Sequence, residues 1–157
     1  MGHYQRLVDA MMTLQVTPPS DFAAKVLSAA DRWRALDRDG AGACQAAASI
    51  LRSLGERDLA WEYMTTPIGI QPNESGPWLN LAQTERGNGD FDLADRAYTA
   101  AFEAEPTNAQ ILWDRAQALQ QSGKTAEARM LYRQIVERHW QPRFASIQAQ
   151  ARWQVEP

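Results

Sequence analysis

In the middle of the chain, apolar residues recur at helical spacing. Trp78, Leu81 and Ala82 form one set, and Phe91, Ala94, Tyr98, Ala101 and Phe102 form the next. Steps of three and four place each set on one face of an α-helix, with polar residues on the other. Gly89 stands between the sets and Pro106 follows the second. A glycine just past a helix supplies the positive φ that other residues adopt only with strain. A proline cannot donate a backbone hydrogen bond, so the second helix should stop at Ala104 or Glu105. The pattern predicts two helices folded back on each other.

The same pattern occurs three times. Gly55, Gly89 and Gly123 are each 34 residues apart, as are Ala48, Ala82 and Ala116, and again Ala60, Ala94 and Ala128. Small residues at matching places let two helix backbones approach closely, while the larger Trp78 and Tyr98 fill the space between neighbouring hairpins. A fixed period of this length marks stacked helical hairpins. The units are 41–74, 75–108 and 109–142. In the first, Cys44, Ala47, Ala48 and Leu51 face inward, followed by Ala60 and Met64, and Pro67 should cut its second helix short and leave Thr65 to Ile70 partly irregular. In the third, Leu112, Ala116 and Leu119 are followed by Ala128, Tyr132, Ile135 and Val136.

The flanks are less regular. Tyr4, Leu7, Val8, Met11 and Met12 suit one amphipathic helix. Phe22, Val26, Ala30, Trp33 and Leu36 suit a second, capped by Ser20 or Asp21. Residues 1–40 thus read as a helix pair, a degenerate repeat without the glycine and alanine columns. At the other end Phe144, Ile147 and Ala151 form a stripe, with Gln148, Gln150 and Arg152 facing away, as a capping helix over 143–157 requires. The whole reads as nine helices and no strands in one helical-repeat domain over 1–157. Trp33, Trp61, Trp78, Trp140 and Trp153 are expected in the core or in the caps.

Composition narrows the function. The chain has 157 residues, 45% hydrophobic and 22% charged, with a net charge of −3. That balance disfavours a nucleic-acid partner, since neutralising phosphates supplies most of such affinity. No apolar run reaches the length of a membrane span. Met1 to Leu14 carries Asp9 within its apolar stretch and does not read as a signal peptide. The single cysteine, Cys44, allows no internal disulfide, so cytosol is the default expectation and the location stays open. A segment of a larger protein would read in the same way.

Trp78, Leu81, Gly89, Phe91, Ala94, Tyr98, Ala101 and Pro106 closely resemble the tetratricopeptide repeat, and Gly55, Ala60, Pro72, Gly123, Ala128 and Tyr132 extend the resemblance over about 41–142. Glu85 and Arg115 depart from it, standing where an apolar residue is usual. The resemblance implies an all-α, right-handed α-solenoid of antiparallel helix pairs that binds a peptide or protein in a concave groove. It also implies that the first helix of each pair lines this groove. In this sequence those positions hold Gln45, Ser49, Arg52 and Ser53, then Leu79, Asn80, Gln83 and Arg86, then Trp113, Gln117, Gln120 and Gln121.

Arg52 and Arg86 share one repeat position and should project side by side, where two guanidinium forks would suit a carboxylate or an extended peptide backbone. Trp113 would serve as an aromatic anchor. The plainer readings are a solvated arginine face and a packed tryptophan. Repeats that hold the acidic tails of chaperones share a carboxylate-holding set, which here would fall on Gln45, Ser49, Asn80, Gln110 and Asp114. Only Asn80 matches, and Asp114 carries the repelling sign, so chaperone tails are not the expected partner. The alternative to a partner-binding module is a structural or self-associating segment, stacking end to end through Trp140 and the last helix.

Nothing here reads as an enzyme. His3 and His139 fall far apart in an extended repeat array, and neither a nucleophile–base spacing nor a metal-ligand spacing is present. Gly87-Asn88-Gly89-Asp90 is a turn, and Cys44 is a small packed hydrophobe. Asp37-Arg38-Asp39-Gly40 resembles the opening of a calcium loop, but Ala48 stands where the closing glutamate belongs. No cofactor and no metal are implied.

Overall fold

Gly55, Gly89 and Gly123 adopt φ of 84, 83 and 84°, the left-handed backbone that the sequence assigned to each turn. The structure is a computed structural model that describes residues 1–36 and 41–155. The calcium-like segment Asp37–Gly40 lies outside the described residues. Among the described residues there are nine α-helices, one 3-10 turn and no strand. The fold is an all-α helical repeat, in which most neighbouring helices within a unit pack on one another. The helices group into two compact units, Met1–Pro72 and Asn73–Pro157.

The first unit contains α1 (Gly2–Thr13), α2 (Phe22–Arg34), α3 (Ala41–Ser53) and α4 (Arg57–Ile70). Val8, Phe22, Val26 and Ala30 of the first pair bury against Ala47, Ile50, Leu51 and Ala60 of the second. Tyr4 meets Phe22 edge-on at 5.8 Å. The Tyr63 hydroxyl donates to Asp31 at 2.7 Å and ties α4 to α2. Burial, then that bond to a carboxylate, pushes the phenol up to about 12.

Two expectations fail in this unit. Trp33 and Leu36 do not point inward but are 38% and 89% exposed. The buried stripe of α2 ends at Ala30. Trp33 sits in the last turn, and Leu36 follows the last helical residue. Nor does Pro67 break its helix: α4 continues through Ile70 with Pro67 buried inside it. A proline in a helix interior removes a backbone bond at a cost of about 3 kcal/mol. The helix continues nevertheless, with further bonds on either side of the proline. The Thr65 and Thr66 hydroxyls donate one turn back, to the carbonyls of Trp61 at 2.9 Å and Glu62 at 2.6 Å. The Gln71 N–H donates to the Pro67 carbonyl at 2.9 Å and closes the last turn.

The second unit contains α5 (Ser75–Asn88), α6 (Phe91–Ala104), α7 (Ala109–Gln121), α8 (Thr125–Glu137), a 3-10 turn (Pro142–Phe144) and α9 (Ala145–Val155). Helix α6 ends at Ala104, where Pro106 required it to. The caps are local: Asp90 accepts from the Leu93 N–H, and Asn108 accepts from the Gln110 N–H. Ala82, Ala94, Ala97, Tyr98, Ala101 and Ala109 are buried at the α5–α6–α7 contacts. Leu112, Ala116, Leu119, Ala128, Tyr132, Ile135 and Ala151 form the core farther along.

The two departures from the repeat pattern are both compensated. Buried Glu85 accepts from the Asn88 amide at 3.0 Å, and Arg115 pairs with Asp95 at 2.7 Å across α6 and α7. Gln148 does not face away as the stripe suggested. Its side-chain amide donates to the Val136 and Arg138 carbonyls at 2.9 and 3.2 Å. It thereby supplies donors that the open end of α8 lacks. Among the tryptophans, Trp78 and Trp140 are half-buried, but Trp61 and Trp153 are 44% and 78% exposed and belong to no core. Both sit on outward faces of their helices.

Candidate partner-binding site

Helices α5 and α7 are the first members of consecutive pairs, and Arg86 bridges them. From the last turn of α5 its Nε donates to Gln121 Oε1 at 2.9 Å, and its Nη2 donates to Gln117 Oε1 at 3.4 Å. Gln117 and Gln121 are four residues apart, one helical turn on the same face of α7, so one planar fork spans both. Gln117, Gln120 and Gln121 line a shallow depression of about 270 Å3. Trp113 is half-buried on Tyr132, with ring centroids 5.1 Å apart, and the Tyr132 hydroxyl donates to Gln120 Oε1 at 3.1 Å. On α5, Leu79 and Asn80 are half-buried, and Gln83 is exposed.

The structure thus brings Arg86, Trp113, Gln117, Gln120 and Gln121 into one bonded surface within the second unit. Gln45, Ser49, Arg52 and Ser53 lie on α3, in the first unit. Gln45 and Ser49 are exposed there, the Ser49 hydroxyl is 3.5 Å from Gln5 Oε1, and the Arg52 guanidinium is 3.6 Å from Met64 Sδ. Arg52 therefore belongs to one unit and Arg86 to the other.

Two residues at or beneath this surface went unassigned in the sequence. Asp114 sits on α7, one turn after Gln110, whose side-chain amide donates to its Oδ1 at 2.8 Å. Burial holds its carboxyl above the usual carboxylate range, opposed by that bond and by the charge of Arg86. Tyr98, from α6, is fully buried, and its O–H donates to no acceptor among the described residues. Burial raises its pKa, the Arg86 guanidinium hydrogen-bonding toward its oxygen works against that, and the Asp114 charge adds to the rise. Asp114 drew notice only as a misfit to a chaperone-tail set, and Tyr98 only as a packing ring. The one available signal was a phenol at a position that phenylalanine would fill equally well.

Residues 79–146 match the family model of the tetratricopeptide repeat. Over that stretch the chain is similar to tetratricopeptide repeats. The matched stretch begins on α5 and ends at the start of α9, so it takes in Arg86 and the whole of α7. A stretch of 89 residues is 27% identical to general transcription factor 3C polypeptide 3 of Homo sapiens, covering 57% of this chain and 10% of that protein. The likeness therefore concerns a tenth of that protein's length. Among the described residues, no group of His, Cys, Asp and Glu could hold a metal ion, and no helix is long and apolar enough to cross a membrane.

Proposed function

We propose that this chain is an interaction module whose tetratricopeptide repeats bind a peptide or protein partner along the α5–α7 face. Such repeats generally mediate protein–protein interaction and are typically not catalytic. The observation that carries the reading is the Arg86 bridge. It holds two helix pairs in register and leaves an amide-rich surface, with Leu79, Asn80 and Gln83 on one side and Trp113, Gln117, Gln120 and Gln121 on the other. The wall is rigid where Arg86 and Tyr132 are bonded, and it offers free polar groups where Gln83 and Gln121 reach solvent. That combination suits an extended segment held by its polar groups and anchored by Trp113. In the first unit, Gln45, Ser49 and Arg52 form the corresponding α3 face.

Affinity capture with the wild-type chain and with Gln83→Glu combined with Arg86→Glu tests the proposal. Both substitutions are on one face of α5, outside the α5–α6 core. Proteins captured by the wild type should be lost from the double variant while its helical signal is unchanged. Retention of the same partners would remove the α5–α7 face from the reading. Arg52→Glu alone reports separately on the α3 face.

A further inference from the structure

We infer that the α5–α7 face contains a carboxamide subsite, in which Tyr98 and Asp114 hold the side chain of an Asn or Gln from the bound peptide. The inference rests on the partner-binding reading above and deepens it. Nearly every polar group around Arg86 is engaged: the guanidinium with Gln117 and Gln121, Tyr132 with Gln120, and Gln110 with Asp114. The Tyr98 hydroxyl is the exception: it is fully buried with Arg86 beside its oxygen, and its O–H donates to no acceptor among the described residues. Buried polar groups are nearly always satisfied, and a bare one calls for an explanation. Here the explanation is a missing acceptor. Gln110 occupies one oxygen of Asp114, and the second receives no hydrogen bond from a described residue.

The subsite therefore has one unused donor and one unused acceptor, close to one positive and one negative side chain. A carboxylate entering it would face Asp114, and an ammonium group would face Arg86. A carboxamide is neutral and carries both an acceptor oxygen and a donor NH2. Its oxygen would accept from Tyr98, and its nitrogen would donate to Asp114. Entry requires Arg86 to yield. Its bond to Gln117 is the longer of its two, at 3.4 Å, so the guanidinium swings off Gln117 while keeping Gln121.

A library of random linear peptides displayed on phage, selected on the whole chain, supplies the probe. Synthetic versions of an enriched peptide are then titrated by calorimetry onto the wild type, Tyr98→Phe and Asp114→Asn. Enriched peptides should share an Asn or Gln at one position. Replacing that residue by Ala, Asp or Lys should weaken binding to the wild type at least about tenfold, and Tyr98→Phe should shrink the amide-to-Ala difference to about twofold. The Ala version keeps the backbone amide, so it separates a side-chain amide from the main chain. Equal binding of the Asp or Lys version, or an undiminished Ala penalty in both variants, would overturn the subsite and leave the partner-binding reading intact. Failure of any peptide to enrich on the wild type would overturn both.

Discussion

Asp114 carries a stability cost that its proposed place in the binding surface would explain. Its carboxyl is partly removed from water, and burial disfavours the charged form more than Gln110 and Arg86 favour it. The folded chain therefore binds this proton more tightly than the unfolded chain, where the group titrates near 3.8. Stability is then withdrawn as the pH rises from 3.8 through the higher folded value, and at neutral pH the full cost is present. Asp114→Asn keeps an oxygen for Gln110 and removes the charge. It should stabilise the chain at neutral pH, and the gain should vanish as the pH falls to the ordinary carboxylate range. Urea midpoints of wild type and variant across that range check this, and a gain that persists in acid would show that the charge is not the cause. A group that costs stability where it stands is a candidate for binding something.

At the scale of helices, the sequence was legible wherever one residue type answers one backbone demand. Gly89 is such a case: its φ of 83° places it in the left-handed region, and a Cβ there would meet nothing within 4 Å. Gly89→Ala should therefore cost about 1 kcal/mol through backbone strain alone. Gly87, two residues earlier and inside α5, also has open space around it but no positive φ. Gly87→Ala should stabilise by about 0.5–1 kcal/mol, because alanine loses less freedom on entering a helix. Denaturation midpoints moving in opposite directions would confirm the distinction, and a matching loss in both would refute it. Where tertiary contacts decide, the pattern misled. Pro67 stays inside α4, where it is buried, and Trp33 carries the right spacing but falls in the last turn of α2. Gln148 looked like a solvent-facing glutamine, yet it caps α8, because helical spacing records a face and not the end of a neighbouring helix. The candidate site was legible in the same measure. Repeat position gave Arg86, Gln117 and Gln121, while a buried Tyr98 O–H without an acceptor has no signature in spacing at all.

For the molecule as a whole, charge bears on what kind of partner the proposed surface would hold. A net charge of −3 over 157 residues gives no strong field to steer an anion, and the α5–α7 face pairs one arginine with one aspartate. Lys124 and Asp92 bond at 2.6 Å in an exposed pair whose charges cancel locally, so no basic stripe forms there either. A binding surface built from amides and an aromatic anchor draws on short-range bonds and apolar contact, and neither depends on ion atmosphere over a Debye length of about 10 Å. Affinity for a selected peptide should therefore change less than about twofold between low salt and 0.5 M salt. A carboxylate-clamping or phosphate-reading surface behaves otherwise, because each neutralised charge adds to the slope of affinity against salt. Titrations at two ionic strengths separate these cases. A fall of tenfold or more would mean that Arg86 meets an anionic partner, and the neutral, amide-reading surface would have to be abandoned.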